Sequence, residues 1–406
     1  MKRKLLSILC MALLLVGFVL PLYGCVPRDR TIRILSWSEY IDEGDKEEGR
    51  KALIKDFEAE WYETHGEKIK VSYETVTTNE DMYRRIKTNR KDFDLICPSD
   101  YMIEKMLADD LLLPLDFNNI PNADRDGGTS KISPYVYELM DEANPDLYKY
   151  AVGYMWGTMG ILYNPALTDG AVPTWNTLFD ASNKSLEGKI AMKDNVRDTY
   201  MAAGFYLGID INHPTQQNLT AVENALKAQK PYIRGYESDE GKGWMLSKTN
   251  TLAMCLQWAG DAFWVIEEAQ TKDLTLAYTV PESGGNKFFD AFVVPKYAQN
   301  QVMAEAFLDY LCRGEVAIRN MDFIGYTTCV ADQEVFDHFT AIGAEAGYAP
   351  TDVSYFFTTI EGATAAKLSP IQYPTKTVMD KCTLMRNLAD DTYEFLNNMW
   401  TRLRSA

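Results

Sequence analysis

Along the chain, short β-branched runs alternate with stretches whose apolar residues recur every three or four positions. Thr31–Ser36 is a run of the first kind and predicts a strand. Over 52–61, apolar residues at 53, 54, 57 and 61 predict a helix. Ile69, Val71 and Tyr73 alternate as a strand does. Thr78, followed three residues on by Asp81 and then by Met82 and Ile86, predicts a capped helix start. Residues 93–97 read as a strand and 102–107 as a helix. Beyond a polar, Gly-rich stretch at 122–130 lies a long apolar run, 150–163, rich in Gly and aromatics. Strands are expected at 189–192, 251–256 and 291–295, and helices at 198–207, 217–228, 303–311 and 387–403. This βαβα order predicts α/β architecture with a mostly parallel, helix-covered sheet. The pattern implies two α/β units without dividing the chain between them.

The N-terminus departs from that rhythm. Met1 to Lys4 is basic, and Leu5 to Leu20 is an apolar run. Sixteen residues are short for a membrane span, which takes about 20. Basic, then apolar, then small residues make a secretory signal, the alternative being an uncleaved anchor. Leu22-Tyr23-Gly24-Cys25 resembles a bacterial lipobox, which implies a signal peptide over 1–24, lipidation of Cys25 and a tether over 25–30. Both readings place the rest of the chain outside the cytoplasm, on a membrane.

At 406 residues, with 46% hydrophobic and 24% charged, the composition is globular. The chain has 58 acidic and 41 basic residues, a net charge of −17. The signal holds three of the bases, so the mature chain has 38 against 58, or −20. Such a surface repels nucleic acid and favours a cationic partner. The three His, at 65, 213 and 338, are scattered and form no metal motif, so no metal or other cofactor is expected. Setting aside Cys10 and Cys25 leaves five Cys without a CxxC, and no disulfide is expected.

Ligands of open α/β sheets sit at the carboxyl ends of strands. Past 31–36 come Trp37, Ser38, Glu39 and Tyr40; past 93–97 come Ser99, Asp100 and Tyr101. Past 189–192 come Asp194, Asn195, Arg197 and Asp198, and past 251–256 come Trp258 and Asp261. Phe288 and Asp290 stand just before 291–295. Each junction carries a carboxylate, and four carry a nearby aromatic. Carboxylates pair with cations and ring faces attract them, so the sum points to an organic cation. Each residue also has an ordinary role: Ser99 and Asp100 as helix caps, Asp198 as a first-turn acid, the aromatics as core.

The segments SWSEYI, DFDLICPSDYMIEKM, YMWGTMGILYN, DNVRDTY, WAGDAF, FFDAFVVP and IGYTT, in that order, resemble the bacterial spermidine/putrescine-binding proteins, extracytoplasmic receptors of polyamine ABC importers. The resemblance spans about 31–403. It implies a two-lobed periplasmic-binding-protein fold of type II, with lobe 1 at 31–156 and 292–326 and lobe 2 at 157–291 and 327–406. The polyamine would lie between the lobes, against Trp37, Ser38, Tyr40, Ser99, Tyr101, Asp198, Trp258, Asp261, Phe288, Asp290 and Tyr326. Asp198 stands where the family has Glu, Asn195 where spermidine-type members have an acid, and Thr327 where the family has Pro. Asp261 and Asp290 match putrescine-type members, which favours putrescine over spermidine. Asp198 and Asp261 are expected to hold one amine and Asp290 the other. Arg386 is left out, because an arginine beside a bound cation is unfavourable. A monomer that closes on its ligand and docks on membrane permease subunits is implied, with no catalysis. The alternatives are a receptor for another small cation, or for ferric iron held by Tyr40 and Tyr101, and an extracellular glycoside hydrolase using two carboxylates. GxSxG, HExxH and a Ser/His/Asp set are absent.

Overall fold

The computed structural model describes residues 28–47, 49–237, 240–249 and 252–405. The expected signal peptide and Cys25 lie outside the described residues. The expected tether is not loose at its end: Arg28 pairs with Asp94 at 2.6 Å and donates to the Thr31 carbonyl at 2.7 Å.

The strands are β1 Thr31–Ser36, β2 Lys70–Thr75, β3 Leu95–Ile96, β4 Ala151–Tyr163, β5 Ile190–Lys193, β6 Gly235–Glu237, β7 Met254–Trp258, β8 Ala277–Thr279, β9 Asn286–Val293, β10 Thr327–Thr328 and β11 Thr383–Leu384. They join in the order β2-β1-β3-β9-β4-β7-β5-β6, with β8 and β10 on β4 and β11 on β9. The outer groups, β2-β1-β3 and β7-β5-β6, are parallel, as the βαβα rhythm predicts. β4 and β9 pair antiparallel with each other and with β3, β7, β8 and β10, while β11 joins β9 in parallel. The sheet as a whole is therefore mixed.

Local chemistry accounts for the element ends. Thr78 accepts the Asp81 N–H at 3.1 Å and starts the helix Asn79–Thr88. The helix Val196–Leu207 ends at Gly208, whose φ of 66° is left-handed and suits glycine. Two elements differ from expectation. β7 is Met254–Trp258, because its pairing to β4 begins at Met254 opposite Tyr163. β9 starts at Asn286, because β4 pairs with it from Met159 onward, so Phe288 and Asp290 lie within the strand.

Among the described residues the apolar side chains form one core in the first lobe and two in the second, which share strands β4, β5 and β7. β4 crosses between the lobes: Ala151 to Trp156 packs in the first core, Met159, Ile161 and Tyr163 in the second. β9 crosses back, with Phe289 and Ala291 already in the first core, three residues earlier than the expected boundary at 292. The stretch after 327 departs further from expectation. Cys329, Phe356, Tyr373 and Leu384 pack in the first core, and the second core regains the chain from Met385. The cause is Trp156: β10 pairs beside it, and Phe356 stacks on its ring with centroids 5.0 Å apart. Cys97, Cys255, Cys312, Cys329 and Cys382 are buried free thiols. Among the described residues no helix is long and apolar enough to cross a membrane.

Candidate ligand site between the lobes

On the first-lobe side the centre is Asp290. It lies opposite Met155 in the ladder and bridges to Ser99. The Tyr40 hydroxyl donates to Asp290 Oδ2 at 2.6 Å. Asp290 Oδ1 is buried without a hydrogen-bond partner. Burial pushes this carboxyl up to about 6, against the opposing pull of the Tyr40 and Ser99 hydroxyls. Ser99 occupies the N-cap position of the helix Asp100–Ala108, yet its side chain makes no cap bond. Asn79 holds it instead, donating to its hydroxyl and accepting its N–H, each at 3.0 Å. Asp100 is not the cap either. It accepts the Tyr101 N–H at 2.6 Å and the Phe289 N–H at 3.3 Å, so it fastens the helix to β9. Burial, with the Asp290 charge adding to it, pushes Asp100 up to about 8.

On the second-lobe side Asn195 caps the helix Val196–Leu207, accepting the N–H groups of Arg197 at 2.9 Å and Asp198 at 3.3 Å. Asn195, which the resemblance sets in the place of an acid, is thus a structural cap. Asp198 sits in the helix's first turn with Oδ2 buried and unpartnered. Burial raises it to about 7, although Lys193 and Arg197 pull the other way. Trp258 ends β7, and Asp261 lies in the first turn of the helix Ala259–Gln270.

Tyr326 joins the two sides. Its ring meets Tyr40 edge-on at 5.6 Å and Phe288 at 6.2 Å. Burial raises its hydroxyl, and the charges of Asp261, Asp290 and Asp198 raise it further. The ring lies against the backbone of Gly260, where a Cβ would come within 2.1 Å of Tyr326 Cδ2. Glycine in the WAGD segment therefore lets the lobes approach. A second tie between lobes is Arg386, whose guanidinium pairs with Glu104 at 2.7 Å.

The structure thus gathers Tyr40, Ser99, Asp198, Asp261, Phe288, Asp290 and Tyr326. Trp258 is beside them, with the Lys193 ammonium 4.5 Å from its ring centre. Tyr101 offers its ring to Arg197, 3.6 Å away, and its hydroxyl to Glu80 at 3.2 Å. Trp37 is half-buried with Nε1 unpartnered, and Ser38 is exposed on the adjoining turn. The hydroxyls of Tyr40 and Tyr101 donate to different carboxylates and are pushed well above the ordinary tyrosine range, which does not suit a phenolate pair on iron.

The sequence reading missed the protein's own cations. Lys193 is buried, 3.8 Å from Glu237; Lys242 pairs with Asp261 at 2.9 Å; Arg197 donates to the Tyr393 hydroxyl at 2.7 Å. Arg197 stands inside the DNVRDTY segment, and like Arg386 it is an arginine unfavourable beside a bound cation.

Residues 52–335 match the family model of the bacterial extracellular solute-binding proteins. The chain is 25% identical over 389 residues to a putrescine-binding periplasmic protein of Pseudomonas aeruginosa, covering 93% of this chain and 92% of that protein. It is 27% identical over 302 residues to a spermidine/putrescine-binding periplasmic protein of Escherichia coli, covering 74% and 78%. In three dimensions it is similar to a spermidine/putrescine ABC transporter substrate-binding protein of Streptococcus pneumoniae, with a TM-score of 0.66 and 26% identity, over 93% of this chain and 99% of that one. With two lobes, a cleft of acids and rings, and a family match over most of its length, the chain belongs to the bacterial extracellular solute-binding proteins, which are receptors of ABC transporters and not enzymes.

Proposed function

We propose that this protein is an extracytoplasmic polyamine receptor, favouring putrescine over spermidine, that delivers its ligand to the permease of an ABC importer. The observation that carries the reading is the pair Asp198 and Asp290, two buried carboxylates each with an oxygen lacking a partner. An uncompensated buried charge costs several kcal/mol. An ammonium on each would offset that cost, and the rings of Tyr40, Phe288 and Tyr326 would cover the methylene stem. The relatives named for putrescine and spermidine support the same class. Two open carboxylates match two amines; the middle amine of spermidine would be buried unpaired unless a third acid served it.

Ligand would favour the closed state because its contacts come from both lobes, and the closed form would dock on the permease. The protein would work as a monomer tethered by lipid at Cys25. Cys25→Ser is expected to release it from membranes; a variant still held, with its signal uncut, would identify a spanning anchor. The test of the ligand is calorimetry against putrescine, cadaverine and spermidine. Putrescine should bind most tightly. Tight binding of a sugar with no response to any amine would overturn the reading.

A further inference from the structure

Lys242 lies outside the seven segments that carry the resemblance to the polyamine receptors. It stands on the short helix Glu240–Met245, which Glu237 ties down by accepting the Gly241 N–H at 2.8 Å. Its ammonium lies 2.9 Å from Asp261 Oδ1, with the two side chains 23% and 16% exposed. Asp261 follows Gly260, whose backbone the Tyr326 ring lies against, and that ring meets Tyr40, whose hydroxyl donates to Asp290. Asp198 and Asp290 each keep an open oxygen, whereas Asp261 carries an ammonium supplied by the protein.

We infer that Lys242 is a tethered stand-in for a third ligand ammonium and sets how many amines the pocket accepts. This deepens the polyamine reading and rests on it. A lysine side chain ends in the same primary ammonium as a polyamine, on a four-carbon stem. Its tether gives it a high effective concentration at Asp261, so a ligand amine must displace it to pair there. A diamine need not do so, because Asp198 and Asp290 serve both its ends. A triamine has a further amine to place, and Asp261 is the acid it must take from Lys242.

Calorimetry of the mature protein with putrescine and spermidine tests this, using Lys242→Gln, Lys242→Arg and the double variant Lys242→Gln/Asp261→Asn. Lys242→Gln should raise spermidine affinity about tenfold, the order expected of releasing a partly buried ion pair, and move putrescine far less. Lys242→Arg keeps the charge and should behave as the parent. The double variant should lose the gain for spermidine. An unchanged ratio of the two affinities in Lys242→Gln, or an equal gain for both ligands, overturns the inference while leaving the receptor reading intact. A parent protein that binds neither amine overturns both. Lys242→Arg, the milder change, keeps the test decisive should Lys242→Gln fold poorly: spermidine bound more tightly by it than by the parent would also refute the stand-in.

Discussion

On the first-lobe wall of the cleft, Asp290 and Asp100 are hydrogen-bonded to a tyrosine hydroxyl and to backbone N–H groups. On the second-lobe wall, Asp198 feels Lys193 and Arg197, and Asp261 is paired with Lys242. The contrast separates affinity from selectivity. On the first wall burial keeps Asp100 largely protonated, and Asp290, raised only to about 6, carries a charge with no counter-charge from its own wall, so it demands a cation. The second wall brings its own cations, so what it accepts depends on which of them a ligand displaces.

The largest effects should follow from breaking the first wall. Asp290→Asn would leave one ammonium unpaired, a loss of about 3–5 kcal/mol, or at least about a hundredfold in putrescine affinity. Asp261→Asn, whose partner is Lys242, should cost putrescine less than about tenfold. Equal losses in a side-by-side titration would erase the distinction between the walls.

Gly260→Ala comes next. The added methyl would meet the Tyr326 ring, so closure should be hindered and putrescine affinity fall about tenfold. Small-angle scattering should show less compaction on adding ligand than in the parent; full compaction would show that the contact does not govern closure.

Acidity should blunt both walls. Burial raises Asp290 to about 6 and Asp198 to about 7, and an ammonium pairs with their ionised forms. Affinity for putrescine should therefore fall as pH drops through 7 and 6, by up to about tenfold per unit for each protonated acid. A flat profile between pH 7.5 and 5 would contradict this. The smallest effect concerns the empty protein. These carboxyls have folded values above their unfolded ones, so their contribution is favourable at low pH and lost as pH rises through 6 to 8. The ligand-free melting temperature should be higher at pH 5 than at pH 8, and Asp290→Asn should shrink the difference.

Much of this was legible in the residues. Local signals served best: Thr78 starts its helix, and the alternation at 69–73 is a strand, because caps and periodicity act within a few residues. What failed was non-local. Nothing near Phe356 shows that it stacks on Trp156, or near Cys329 that it lies against Gly153; both follow from β10 pairing with β4 across more than 150 residues. The site shows the same divide. Asp198, Asp261 and Asp290 stood out because acids beside aromatics at strand ends are unusual company. Lys193 and Lys242 did not, because a lone lysine in sequence reads as surface, and its partner, Trp258 or Asp261, lies in another element.

The most direct test of the central claim is calorimetric titration of the mature protein with putrescine at pH 6.5, in two buffers of different protonation enthalpy. The walls as described predict binding with net release of protons, because each ammonium drives a partly protonated carboxyl into its ionised form. Binding with no proton release, or no binding at all, would contradict the assignment of Asp198 and Asp290 as the groups that receive the ligand.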